Sequence, residues 1–112
     1  MSYKTLRYAI EDGIAVVTFD DPTAPVNTMS EAWQADLAAL AAQLSAERDQ
    51  FRGVVLASAK STFFAGADLK GVMRMDAVEA PRKFFAEVEG MKRHFRTIET
   101  LGKPIATCLN GA

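Results

Sequence analysis

Leu6, Tyr8 and Ile10 alternate with charged or small residues, the period of two expected of a strand with one buried face. Asp12-Gly13 follows, a strong signal for a two-residue hairpin turn. Residues 14–19 are β-branched and apolar and predict the returning strand. Asp20-Asp21-Pro22 ends it, because proline cannot donate to a ladder. Residues 20–27 hold two prolines and read as a loop. Trp33, Leu37, Leu40 and Leu44 then recur at helical spacing and predict a helix over 31–48. Two signals compete for its start: Thr28 with Glu31 in capping-box spacing, and Ser30 as a rival N-cap.

Gly53 leads into Val54-Val55-Leu56-Ala57, a short continuous apolar run that predicts a strand buried on both faces. Residues 58–66 read as a loop, and Asp68 as the cap of a short helical turn through Met73. Phe84, Val88, Met91, Phe95 and Ile98 form a second helical stripe, mildly interrupted at Gly90. Gly102 and Pro104 stop that helix. Residues 105–109 predict a third buried strand, which places Cys108 as an inert buried thiol, and Asn110-Gly111 marks a turn. The order β-β-α-β-(short α)-α-β implies an α/β fold with crossover connections. A turn signal one residue before the last residue reads as the front part of something longer. The two stripes need partners, which predicts self-association, and Trp33 belongs to the core or to a subunit interface.

The 112 residues suit one modest domain, and 49% hydrophobic with 24% charged residues argues against disorder, collagen and a coiled coil. Thirteen Lys and Arg against fourteen Asp and Glu leave −1, with no drive toward nucleic acid. No apolar run approaches the length of a membrane span, and the N-terminal residues carry no signal-peptide core. A lone cysteine makes no internal disulfide, so the cytoplasm is the expected compartment.

The stretch that carries chemistry is Phe63-Phe64-Ala65-Gly66-Ala67-Asp68-Leu69. Ala-Gly-Ala removes side-chain bulk, and successive N–H groups beside a helix N-terminus can hold an anion or a developing oxyanion. The competing reading is a tight loop packed beneath the following helix. Neither a G-x-G-x-x-G fingerprint nor a P-loop is present, and no Cys/His cluster suggests zinc. Glu87, Glu89 and Glu99 flank the apolar stripe among Lys92, Arg93 and Arg96, and read as solvated carboxylates. His94 reads as a surface or boundary position rather than a catalytic base. Lys70, Arg82 and Lys83 read as a solvated face, with anionic phosphates as the alternative.

Phe64-Ala65-Gly66-Ala67-Asp68-Leu69-Lys70 resembles the F-x-A-G-A-D-[LI] loop of the crotonase family, the enoyl-CoA hydratases and isomerases. Lys103-Pro104-Ile105-Ala106 with Asn110-Gly111-Ala112 is similar to that family's K-P-[VI]-[IV]-A-x-[VI]-x-G-x-A segment, and residues 20–27 to its first substrate loop. Pro25-Val26-Asn27-Thr28-Met29-Ser30 is similar to a stretch in multifunctional fatty-acid-oxidation enzymes, whose later domains are 3-hydroxyacyl-CoA dehydrogenases. The resemblance covers essentially the whole chain. It implies a crotonase-like spiral of repeated ββα units, with residues 1–112 as the N-terminal part of one hydratase domain and no second domain. It implies that the Ala67 N–H donates to the thioester oxygen, that Ala65, Gly66, Asp68, Leu69 and Lys70 border CoA, and that Ala24, Pro25 and Val26 line the CoA entrance. The implied reaction hydrates a 2-enoyl-CoA without metal or redox cofactor, in a homo-oligomer, trimeric or hexameric. The family's second oxyanion donor and its two glutamates lie beyond Ala112, so the chain alone is expected to hydrate enoyl-CoA slower by several orders of magnitude. The alternatives are a non-catalytic CoA-thioester-binding or self-associating module, and an isomerase or hydrolase of the same family.

Overall fold

A computed structural model describes residues 2–73 and 78–111. Strand β1 (Leu6–Glu11) and strand β2 (Ile14–Phe19) form an antiparallel hairpin in which Glu11 faces Ile14. Asp12 and Gly13 have φ of 51° and 76°, the left-handed pair that a type I′ turn requires, and aspartate is among the side chains that tolerate it. Along β1 the expected alternation holds: Leu6 is buried, Tyr8 and Ile10 half-buried, and Arg7, Ala9 and Glu11 exposed.

Helix α1 (Glu31–Ala46) starts at Ser30, whose hydroxyl accepts from the Trp33 N–H, so Ser30 wins over the Thr28 box. It ends two residues earlier than the periodicity predicts and passes into a single 3₁₀ turn, Arg48–Gln50. Its stripe is the heart of the core: Trp33, Leu37, Leu40 and Leu44 are buried against Ala15, Val17 and Phe19 of β2. Full burial of each leucine contributes about 1.5–3 kcal/mol. Asp36, on the same buried face, accepts from Lys4 N, Thr5 N and Thr5 Oγ1 through its Oδ2, which ties α1 to the segment entering β1.

Strand β3 (Gly53–Ser58) pairs parallel to β2, and strand β4 (Ile105–Thr107) parallel to β3, giving the order β1-β2-β3-β4. Between them come helix α2 (Leu69–Met73) and helix α3 (Ala80–Glu99). Two expectations fail here. In β3 only Gly53 and Val54 are buried, while Val55, Leu56 and Ala57 keep partial exposure. β4 is shorter than 105–109 and lies at the sheet edge, with Ala106 and Thr107 exposed. Cys108 is accordingly exposed rather than buried, and its N–H donates to Leu56 O.

Helix α3 packs on α1 through Ile98, Met91 and a tilted Trp33–Phe95 ring pair 6.1 Å apart. Trp33 is therefore a core residue. The α3 stripe is covered unevenly: Ile98 is buried, but Phe84, Phe85 and Phe95 are exposed. Gly102, at φ +81°, makes the left-handed exit that precedes Pro104 and β4.

Candidate active site

Where α1 begins, α3 begins and the 65–68 loop passes, the three leave a cleft of about 730 Å³. Met29 and Ala67 lie on one side of it and Phe84, Val88 and Met91 of α3 on the other. Apart from Ala32 and Gly71 the rest of its lining is polar, with Glu31, Asp68, Glu79 and Glu87 against a single cation among the described residues, Lys83. Lys83 Nζ sits 3.5 Å from Glu31 Oε1, bridging α3 to α1 with both side chains solvated.

The loop is small-residue by composition and fixed by its neighbours. Ala65 N donates to Asn27 O at 2.8 Å, and Gly66 O accepts from Met29 N at 2.9 Å. Residues 27–29 and 65–67 thus run side by side, with Met29 and Ala67 bridged in parallel. Gly66 has φ +100°, and an added Cβ there would meet nothing within 4 Å, so glycine is required by backbone conformation rather than by space. Ala67, the next residue, lies in neither helix nor strand, and no acceptor among the described residues takes its N–H. Ala67 itself is among the residues that line the cleft.

The loop's aromatic stem anchors it. The Phe64 ring packs edge-on against Phe19 at 5.0 Å, Phe63 at 5.3 Å and Trp33 at 5.4 Å. On the far side Asn110 O accepts from Phe63 N, and Asn110 Nδ2 donates to Lys60 O. Gly111 lies so close to Ser61 O and Thr62 that any Cβ would collide with their backbone. Asn110 and Gly111 therefore serve the same loop, whereas Pro104, Ile105 and Ala106 pair with β3, and Ala112 lies outside the described residues.

The resemblance-derived positions separate. Ala67 and Asp68 line the cleft, as does Gly71, whose Cα faces the Asp68 carboxylate. Ala65, Gly66, Leu69 and Lys70 lie outside the lining, with Leu69 and Lys70 exposed. Ala24, Pro25 and Val26 form a second loop away from that lining, with Pro25 exposed. Glu87 is half-buried, as is Glu89, and lines the same cleft as Ala67. Glu89 and Glu99 make ion pairs one turn away with Lys92 and Arg96. His94 is half-buried on α3, outside the cleft. No helix of the described residues is long and apolar enough to cross a membrane, and among them no cluster of metal-ligating side chains occurs.

Two residues that sequence reasoning passed over hold the loops. Lys60 Nζ donates to Asp21 O at 2.6 Å and Ala24 O at 2.8 Å and pairs with Asp20 at 3.2 Å, so it fastens the 20–26 loop to the end of β3. Arg7 first, then Lys60, holds the Asp20 carboxyl below its ordinary pKa. Asn27 is fully buried between the two loops. A lysine after a strand and an asparagine beside prolines look like surface residues, and no spacing betrays their partners.

Comparison with known proteins agrees with this geometry. The enoyl-CoA hydratase/isomerase family matches residues 9–112. The fatty acid oxidation complex subunit alpha of Idiomarina loihiensis is 30% identical over 103 residues, 91% of this chain but 14% of that protein. An enoyl-CoA hydratase of Mycobacterium smegmatis superposes with a TM-score of 0.75 at 28% identity, over 96% of this chain and 40% of that one. One from Thermoplasma volcanium superposes at 0.80 and 21% identity, over 96% and 41%. The chain thus spans well under half the length of each relative, and its sheet and crossover helices are those of the crotonase fold. With the match running through the cleft-lining loop and on to the end of the chain, this protein belongs to the enoyl-CoA hydratase/isomerase family.

Proposed function

We propose that the chain is the thioester-receiving part of an enoyl-CoA hydratase domain, acting on 2-enoyl-CoA in fatty-acid β-oxidation. The observation that carries this is the Ala67 N–H, left without an acceptor among the described residues at a cleft with an apolar wall. A thioester oxygen placed on that N–H is polarised, which stabilises the enolate that forms as water adds to the neighbouring double bond. The acyl chain lies along Phe84, Val88 and Met91. The carboxylates at the cleft repel the polyphosphate end of CoA, so the ligand enters acyl end first. Ala65, Gly66, Asp68, Leu69 and Lys70 then border CoA, and Ala24, Pro25 and Val26 its entrance. The reading uses no metal or redox cofactor, since the CoA thioester is itself the substrate. Residues 1–112 are the N-terminal part of one such domain, in a cytoplasmic protein.

The test is a titration of the ¹⁵N-labelled chain with butyryl-CoA, which carries the thioester but cannot be hydrated. The Ala67, Val88 and Met91 amides should shift together, with no comparable change at Glu11 or Asp12. A chain whose Ala67 amide ignores millimolar butyryl-CoA would sink the reading. Turnover of crotonyl-CoA, followed by loss of its conjugated absorbance, should stay several orders of magnitude below that of a complete hydratase. A second reading, a self-associating module, is favoured by the exposed Leu69, Phe84, Phe85 and Phe95 side chains. Sedimentation at micromolar concentration distinguishes a trimer or hexamer from a monomer.

A further inference from the structure

We infer that Asn27 is a positioning residue, whose buried carboxamide sets the place of the Ala67 N–H by tying the ends of β2 and β3 to the loop that carries it. The inference rests on the proposed reading of Ala67 as the thioester donor. Asn27 Oδ1 accepts from Asp21 N at 3.1 Å, and Nδ2 reaches Phe19 O at 3.2 Å, Ser58 Oγ at 3.0 Å and Phe63 O at 3.2 Å. Phe19 ends β2 and Ser58 ends β3, while Phe63 opens the loop. Ser58 Oγ extends the network to Thr62 O and Lys60 N. The Asn27 carbonyl takes the Ala65 N–H, two residues before Ala67. One side chain and its own main chain therefore fix the approach to Ala67 at several points.

A main-chain donor has no rotamer with which to find its acceptor. Its aim is set by whatever holds the backbone, and misplacement by tenths of an ångström weakens a donor that must meet a developing oxyanion. Asparagine suits the task because it presents an acceptor and donors from one planar group. Asn27→Asp keeps the shape but turns the donor end into an acceptor facing Phe19 O, Ser58 Oγ and Phe63 O.

A merely structural asparagine would lower stability without selectively moving Ala67, and the experiment separates the two. The ¹⁵N-labelled full chain is compared as wild type, Asn27→Asp, Ser58→Ala and Leu44→Ala. The last truncates a fully buried α1 side chain and destabilises without touching the loop network. Without ligand, Asn27→Asp should shift the Ala67 amide and accelerate exchange of the Ala65 N–H at least tenfold relative to the α1 amides, whereas Leu44→Ala should leave that ratio unchanged. With butyryl-CoA, Asn27→Asp should raise the dissociation constant about tenfold, the worth of one hydrogen bond. Ser58→Ala, which removes one partner, should move each readout the same way by less, and it decides the matter if Asn27→Asp does not fold. Equal effects in Leu44→Ala, or an unmoved Ala67 amide in Asn27→Asp and Ser58→Ala, would overturn the inference. If wild-type Ala67 ignores butyryl-CoA, the functional reading fails, while the ligand-free comparison still tests whether Asn27 places that amide.

Discussion

Replacing Asp36 by alanine should cost the chain about 2–4 kcal/mol. Asp36 Oδ2 alone receives Lys4 N at 3.0 Å, Thr5 N at 2.7 Å and Thr5 Oγ1 at 2.7 Å. Lys4 is exposed, and its N–H recovers water on truncation. Thr5 is buried, so its N–H and hydroxyl lose their acceptor inside the protein, at about 1–3 kcal/mol for each unsatisfied group. Rotation of the hydroxyl and entry of water into the vacated space bring the total toward the lower half of that sum. Against a typical stability of about 5–15 kcal/mol, such a loss is large. Urea denaturation followed by circular dichroism measures it; with a slope of about 1–2 kcal/mol/M, the midpoint should fall by about 2 M. Asp36→Asn still presents one oxygen and should lose about half as much. In a cycle with Thr5→Val, the second substitution should cost less once Asp36 is gone. A loss under 1 kcal/mol for Asp36→Ala, with an unchanged slope, would show that the segment before β1 is held by packing and not by this carboxylate.

Gly66→Ala should cost about 1–3 kcal/mol of backbone strain and alter the Ala65 and Ala67 amides, since φ is +100° and no atom crowds the new methyl; unchanged spectra and stability would refute this. Asp20, with its pKa lowered, contributes stability that is present above about pH 4 and lost as pH falls through the lowered value. Asp20→Asn should therefore flatten the acid limb of Tm against pH, and a limb parallel to wild type would count against the Arg7 and Lys60 pairings. Cys108 should react with a chromogenic disulfide reagent in the native chain at a rate within about tenfold of the denatured chain, whereas a thiol silent until urea is added would contradict its exposure.

Elements were legible wherever one local signal dominated. The hairpin followed from alternation plus Asp12-Gly13, and α1 from its leucine spacing, because hydrophobic period and turn chemistry act within a few residues. Burial of β3 and β4 was misread for a different reason. An apolar run states that a strand can be covered, but the covering depends on neighbours distant in sequence, and β4 lies at the sheet edge with Cys108 just beyond it. The loop with the candidate donor was legible from its small residues and its resemblance. Glu87 was not, because it shares an amphipathic helix with paired surface carboxylates, and its place in the cleft lining depends on residues of α1 and the 65–68 loop distant in sequence. Lys60 and Asn27 were not legible either, since all of their partners are main-chain atoms or residues several to tens of positions away.

That last blind spot follows from the chemistry proposed for the site. A main-chain N–H needs no particular side chain at position 67, so the residue type there carries no signature of the donor. Holding residues 59–68 in one conformation opposes a backbone entropy of about 1–2 kcal/mol per residue. Offsetting terms must come from the side-chain contacts that the loop makes and receives. Phe64 contributes through its edge contacts with Phe19, Phe63 and Trp33, each worth about 0.5–1.5 kcal/mol beyond burial. Asn27 contributes from beneath and Asn110 from the far side, each through bonds to main-chain atoms of the loop or its flanks. These aromatic and asparagine side chains all lie outside the cleft lining, yet they fix the Ala67 backbone in place. A substitution at any of them should therefore act on thioester binding through geometry, while leaving the apolar wall of Phe84, Val88 and Met91 intact.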